Sequence, residues 1–322
     1  MEAGYYLDSF LAPLAGILAR EDVTDIWINR PHEIWIELLG GGIERIDAPD
    51  LNEALLGRLA RQIAATASQG ISRAQPLLAA RLPDGSRVQV VAPPATRAGH
   101  LFAIRRHVSS DLTLADWEDQ DAFADLSSGE VLPDAEVRWR SIGGREASEV
   151  LREGVLGRRN ILVSGGTSTG KTTFLNALLG EIPEYERLVL IEDTEELHLR
   201  HANAVGLIAA RGALAEAEVS AEDLLIAALR MRPDRIILGE LRGQEAFTFL
   251  RAVNTGHPGS MTTIHADTPQ RAIEQLSLLV LQSGSRLSRD DVREYVRQSI
   301  DLFVQLERRD GRRRVCQVLT RA

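Results

Sequence analysis

Residues 165–172 read Gly-Gly-Thr-Ser-Thr-Gly-Lys-Thr, and no other stretch of the chain limits its fold so tightly. The octet matches G-x-x-x-x-G-K-[ST]. An apolar run, Asn160 to Val163, precedes it, and helical spacing over Lys171 to Leu179 follows it. Strand, glycine-rich loop and helix in that order make a phosphate-binding turn. Gly165 and Gly170 admit backbone angles that other residues resist. The loop can then wrap the amides of Gly166, Thr167, Ser168 and Thr169 around phosphate oxygens, and the helix N-terminus at Lys171, Thr172 and Thr173 adds its positive dipole end. Thr172 can place its hydroxyl on Mg2+. The expected cofactors are ATP and Mg2+.

Lys171 is the only lysine of the chain; the other 36 of its 37 strong cations are arginine. Surface positions tolerate that exchange. A cation that must reach the β- and γ-phosphates from inside a tight loop has to be a slim, flexible point charge, and the broad guanidinium fork does not fit the same space. The exception therefore marks the functional cation.

The organisation fits this reading. Residues 1–110 read as a small α+β domain: a helix over Leu7 to Leu18, strands Asp25 to Ile28 and Glu33 to Ile36 joined by a turn at Asn29 to His32, a helix over Asn52 to Thr66, a hairpin from Leu77 to Val91 turning at Pro83-Asp84-Gly85, and a strand from Leu101 to Arg105. Residues 111–146 hold Asp111, Asp116, Glu118, Asp119, Asp121, Asp125, Glu130, Asp134 and Glu136 and are expected as an acidic, solvated linker. Residues 147–322 alternate strands and helices: Leu188 to Ile191, Ile236 to Leu238 and Met261 to Ile264 as strands, Ser220 to Leu229 and Gln244 to Val253 as helices. Such alternation predicts an α/β domain with a mostly parallel sheet, here a RecA-like P-loop NTPase domain. The arginine run 308–314 surrounds Asp310-Gly311 between two apolar stretches and reads as a charged hairpin tip rather than a nucleic-acid patch.

Composition excludes other classes. A net charge of −9 disfavours a general nucleic-acid binder, so no strong nucleic-acid binding is expected. A single cysteine, Cys316, permits no intrachain disulfide and fits a reducing compartment. The opening MEAGYYLDSF lacks a basic stretch before an apolar one, and no apolar run has membrane-span length, so a cytoplasmic protein is expected.

Hydrolysis needs metal support and a positioned water besides a phosphate loop. Two further strands end in carboxylates. Glu240 closes Arg235-Ile-Ile-Leu-Gly-Glu240 and can contact the metal shell. Glu192 and Asp193 close Leu190-Ile-Glu-Asp193, at the strand edge where α/β sheets hold ligands, and either can orient or deprotonate water. Glu192, Glu240, Lys171 and His265 are the candidate catalytic residues, with Thr172, Glu240 and Asp193 as metal candidates. Glu195 and Glu196 read as solvated. His265 ends a strand and can sense the γ-phosphate or hold a carboxylate; His257 precedes the same strand and reads as catalytic or structural. His198 and His201 have H-x-x-H spacing without partner ligands, so no zinc site is expected.

Taken together, these motifs resemble the secretion ATPases of the VirB11 and TrbB type. The resemblance lies in Ile28-Asn-Arg-Pro31, Leu82-Pro-Asp-Gly-Ser-Arg87, Ala103-Ile-Arg-Arg106, the phosphate loop, Ile191-Glu-Asp-Thr-Glu-Glu-Leu197, the stretch from Leu229 to Gly243 and Gly256-His-Pro-Gly-Ser-Met-Thr-Thr-Ile-His-Ala266. The acidic stretch is its least family-like part. The resemblance implies a homohexameric ring ATPase, peripheral at a bacterial inner membrane, that works with the membrane components of a type IV secretion or conjugation machine. It also implies that Arg81, Arg87, Arg105 and Arg106 contact nucleotide or a neighbouring subunit. The nearest alternative is a type II secretion or pilus motor; a kinase would need a substrate lid that this chain does not show.

Overall fold

In the computed structural model, the described residues are 7, 9–39, 41–67, 69–106, 112–126, 129–131, 139–144, 146–209, 219–309 and 311–321. They fall into two compact units, the first holding those up to Arg106 and the second those from Leu112 on.

The first unit is built on a six-stranded antiparallel sheet. Its strands are β1 (Val23–Ile28), β2 (Glu33–Leu38), β3 (Ile43–Asp47), β4 (Leu77–Arg81), β5 (Arg87–Val91) and β6 (Leu101–Arg105), in the order β3-β2-β1-β6-β5-β4. Alternation puts Ile26, Ile28, Ile34, Ile36, Val88, Val90, Phe102 and Ile104 on one buried face. Helix α2 (Glu53–Thr66) covers that face with Leu56, Leu59, Ala60 and Ile63, and the Asn52 side chain caps it by accepting from the Leu55 amide. The expected helix over Leu7 to Leu18 is interrupted. Pro13 has no N–H to offer, and the chain forms a 3-10 turn, Ala12–Leu14, before the short α1 (Ala15–Leu18). Strand β3 carries no apolar alternation and is mostly exposed, with only Ile46 half-buried against the core; its pairing with β2 makes it a strand.

The second unit holds a nine-stranded sheet. Its strands are β7 (Gly129–Val131), β8 (Trp139–Ser141), β9 (Ile161–Gly165), β10 (Leu188–Glu192), β11 (Ala204–Ile208), β12 (Arg235–Leu238), β13 (Met261–Ile264), β14 (Leu302–Arg309) and β15 (Arg312–Arg321), ordered β11-β10-β12-β13-β9-β14-β15-β8-β7. The first six in that order run parallel, and the last three turn antiparallel. Both faces are covered, which is why the parallel strands read as continuous apolar runs. Ile161, Val163, Leu188 and Leu190 point to α3 (Leu114–Asp119), α4 (Glu146–Leu156) and α5 (Lys171–Leu179). Leu162, Val189 and Ile191 point to α6 (Ala221–Ala228), α7 (Glu245–Asn254), α8 (Pro269–Gln282) and α9 (Arg289–Ser299). This is a RecA-like P-loop domain preceded by a smaller α+β unit.

One expectation is corrected here. The acidic stretch is not a solvated linker over residues 112–126. Thr113 and Asp116 form a reciprocal capping box on α3, and Leu114, Trp117, Ala122, Phe123 and Leu126 are buried in the same core as Phe174. The Trp117 ring meets Phe174 edge-on at 5.0 Å. The acidic groups face outward and find arginines: Glu118 with Arg152 at 3.5 Å, and Asp125 with Arg314. Asp111, Asp134 and Glu136 lie outside the described residues, as does Asp310 at the tip of the β14–β15 hairpin.

Candidate active site

The phosphate loop leaves the C-terminal end of β9, whose five residues are all buried. Gly165 is required by space: a Cβ there would stand 2.5 Å from the Thr169 hydroxyl and 3.0 Å from the Leu306 carbonyl. Gly170 is required by conformation, since it caps α5 at φ +91°. The Thr169 hydroxyl donates to the Gly166 carbonyl at 2.9 Å and braces the turn. Lys171 is 9% exposed. Its Nζ donates to the carbonyls of Gly165 and Gly166, each at 2.9 Å, and lies 3.3 Å from Nδ1 of His265.

The sheet order brings the three ligand-bearing strands beside β9 on one side. Glu240, just past β12, has both oxygens occupied differently. Oε2 accepts from Arg242, and Oε1 lies 3.0 Å from Nε2 of His265. That approach is off the hydrogen-bonding direction, so Oε1 is buried without a donor. Asp193, after β10, pairs with Arg242 at 3.1 Å. Lys171, His265, Glu240, Arg242 and Asp193 thus form one continuous polar chain.

Glu192 at the end of β10 is buried, and its Oε1 accepts from the amides of Glu196 and Leu197, both at 2.8 Å. Burial pushes its carboxyl up to about 7, with the charges of Glu196 and Glu195 adding to the rise and the two amides opposing it. The bend it holds carries a residue that the sequence reading passed over. Glu196 is half-buried rather than a free surface group: its Oε2 accepts from the Thr172 hydroxyl at 3.0 Å. Asn176 of α5 donates to the Glu196 carbonyl and accepts from the His198 amide, tying the bend to the phosphate-loop helix. Arg242, which holds two carboxylates at once, is the second residue missed. Its only signal was its place two residues after Glu240.

His257 and His265 do not converge. They flank β13 at opposite ends, and His257 lies 3.3 Å from the Pro233 carbonyl, beside the start of β12 rather than its carboxylate end. The Nε2 of His201 is 3.0 Å from the Ile182 carbonyl, and no cluster of metal-binding side chains occurs among the described residues. The Thr172 hydroxyl and Glu196 Oε2, 3.0 Å apart, and the undonated Glu240 Oε1 are oxygen donors of the chemistry Mg2+ takes, few of them from protein beside phosphates and water.

In the first unit, strand registry aligns three of the expected arginines. Arg81 stands opposite Arg87, Arg87 opposite Arg105, and Arg105 opposite Asp25. The row lies on the sheet face away from the α2 core, and Arg105 Nε donates to Asp25 at 3.1 Å. Cations side by side across strands repel, and the Asp25 carboxylate meets one end of the row. Arg106 is placed differently: its guanidinium donates to the carbonyls of Arg20 and Val23.

Comparison with known proteins agrees with this geometry. The model of a family described as Type II/IV secretion system protein matches residues 138–313. The Type IV secretion system protein VirB11 of Bartonella quintana is 36% identical over 96% of this chain and 91% of its own length. The Type IV secretion system protein PtlH of Bordetella pertussis is 40% identical over 97% and 94%. Among solved structures, the ATPase DotB of Legionella pneumophila superposes with a TM-score of 0.63 at 19% identity, covering 98% of this chain and 80% of that one, a likeness of fold.

Proposed function

The chain belongs to the Type II/IV secretion system protein family, and from that premise we propose that it is a Mg2+-dependent ATP hydrolase that works as a homohexameric motor of a type IV secretion or conjugation machine. The observation that carries the enzymatic part is the polar chain from Lys171 through His265 to Glu240, Arg242 and Asp193 at the mouth of the phosphate loop.

Each residue has a task on this reading. Lys171 leaves its two carbonyls for the β- and γ-phosphates. His265, 3.3 Å from that amine, registers whether the γ-phosphate has drawn it away. Glu240 offers its undonated oxygen to a water, and Arg242 holds Glu240 and Asp193 apart and in place. Glu192 keeps Glu196 beside Thr172 and can accept a proton near neutral pH. Mg2+ would be held by Thr172 and Glu196, with Glu240 reaching its shell only through that water, and would neutralise phosphate charge. The row of Arg81, Arg87 and Arg105 is an anion-reading surface of the first unit, for nucleotide or a neighbouring subunit. No helix among the described residues is long and apolar enough to cross a membrane. On this reading, a cytoplasmic chain attaches to the inner membrane through other components of the machine.

Phosphate release from ATP, with and without Mg2+, tests the enzyme. Glu240→Gln and His265→Ala should lower kcat by a hundredfold or more, roughly the share of a positioned acid–base group. Both should keep Mg-ADP affinity within about threefold, because neither touches the phosphates shared by the two nucleotides. Wild-type turnover in Glu240→Gln would overturn the assignment. Light scattering with a non-hydrolysable analogue should give six times the 35.4 kDa of one chain; a persistent monomer would remove the ring.

A further inference from the structure

The β14–β15 hairpin lies on the side of β9 away from the strands that carry Asp193, Glu240 and His265. Glu192, Asp193, Glu240 and His265 come from β10, β12 and β13, which follow one another on one flank of β9; β14 and β15 occupy the other flank. We propose that a nucleotide with its γ-phosphate at Lys171 and His265 runs its nucleoside end toward that hairpin, where Arg313, carried over the loop, binds its α-phosphate. The proposal rests on the nucleotide-binding reading above and extends it to a residue outside every motif of the site.

Three observations support it. The Arg313 side chain crosses the loop at its last glycine: a Cβ on Gly170 would stand 2.7 Å from Arg313 Cδ and 3.3 Å from its Nε, with Trp117 Cη2 at 3.5 Å. Its Nη1 donates to the Thr173 hydroxyl at 3.3 Å, one residue beyond the hydroxyl that meets Glu196. The side chain is therefore aimed at the start of α5 from the nucleoside flank, as Lys171 is aimed from the γ flank.

The second observation is electrostatic. Among the described residues Arg313 has no carboxylate partner, although the arginines around it do: Arg314 holds Asp125, and Arg152 holds Glu118 and Glu181. Burial pulls the Arg313 guanidinium below its ordinary pKa, and the charge of Arg308 adds to the fall. A desolvated cation is costly until an anion meets it. The third observation is registry. Arg308 and Arg313 face each other directly across the hairpin, a pairing of like charges that destabilises a strand pair. A phosphate beside them converts the repulsion into binding.

The α-phosphate does not react, so Arg313 should act on affinity and not on turnover. Titration of Mg-ADP and of a non-hydrolysable Mg-ATP analogue into the full nucleotide-free chain reads this directly. Arg313→Gln and Arg313→Met should weaken both nucleotides alike, by roughly ten- to hundredfold, the effect of losing one charge-assisted hydrogen bond. At saturating ATP, kcat should stay within about threefold, and Arg313→Lys should recover part of the affinity. Arg313→Met keeps the aliphatic stem over Gly170, so it separates packing from charge. Nucleotide affinity unchanged in Arg313→Met, whether or not Arg313→Gln loses both thermal stability and affinity, would reduce the residue to packing and end the proposal. A loss confined to kcat would move Arg313 to the reacting end and end it as well. If the unaltered chain binds no nucleotide, the phosphate-loop reading falls and this proposal with it; normal binding by the unaltered chain and by Arg313→Met removes only the latter.

Discussion

The Nζ of Lys171 lies 3.3 Å from Nδ1 of His265, and the other ring nitrogen of that histidine lies 3.0 Å from Oε1 of Glu240. An ammonium can only donate, so the imidazole accepts at Nδ1 and carries its proton on Nε2, close to the carboxylate but off the hydrogen-bonding direction. One ring therefore lies between the cation that meets the γ-phosphate and the carboxylate expected to hold water. Moving Lys171 onto a phosphate removes the donor from Nδ1 and frees the ring to turn. The link makes the state of the loop legible at Glu240.

Because Lys171 is the only lysine, amine acetylation is a single-site experiment once the N-terminal amine is accounted for. The residue is 9% exposed and its amine is held by two carbonyls, so it should react slowly, and more slowly still with Mg-ADP bound. Mass spectrometry reports the extent of reaction, and nucleotide titration reports the consequence. Acetylation removes the charge and should abolish binding. Full modification with binding intact would remove the phosphate role.

Glu196 gives a prediction about the metal. The Thr172 hydroxyl donates to it at 3.0 Å. Glu196→Gln keeps the shape and removes the charge. We expect the Mg2+ concentration for half-maximal ATP hydrolysis to rise by about tenfold or more, in line with losing a carboxylate that would hold the metal beside Thr172. An unchanged Mg2+ requirement would return Glu196 to the surface role that its sequence suggested.

Trp117 tests the packing of the acidic stretch. It is 2% exposed and meets Phe174 of the phosphate-loop helix edge-on. Trp117→Ala should cost about 3–5 kcal/mol in urea unfolding, the usual loss for a buried aromatic. A solvated residue would change stability by less than about 0.5 kcal/mol.

That case shows what the sequence made legible and why the rest was not. Motifs whose chemistry depends on a local backbone shape were readable: the glycines, Lys171 and Thr172 sit in one turn, and Glu240 and His265 each end an apolar strand. The helix at Leu114 was hidden because its apolar positions are spaced among nine acids that dominate the composition, while Leu114, Trp117 and Phe123 carry the fold. Glu196 and Arg242 were missed for a different reason. Each acquires its role from a partner far along the chain, Thr172 and Asp193 respectively, and no spacing within one segment announces such a pairing. The arginine row of the first unit depends on strand registry, which three short strands did not specify until they were paired.

Glu192 supplies a prediction with a definite sign. In the unfolded chain it titrates near the ordinary value of 4.5, and in the folded protein near 7. Below 4.5 both states hold the proton and the burial carries no electrostatic cost. As pH rises from 4.5 to 7 the unfolded chain releases a proton that the folded one keeps, so stability falls; above 7 the difference is constant. The size is a few kcal/mol, about 3 at 1.36 kcal/mol per unit. Glu192→Gln can still accept from the amides of Glu196 and Leu197 but cannot ionise. Urea unfolding at pH 5, 6, 7 and 8 should therefore show the wild type losing stability relative to Glu192→Gln across that interval. Taking the difference cancels the carboxylates that titrate the same way in both chains. Parallel pH profiles would mean that Glu192 ionises in the fold as freely as in water. The proposed role as a proton acceptor near neutral pH would then lose its basis, and Glu192 would be left with the hydrogen bonds that hold the bend.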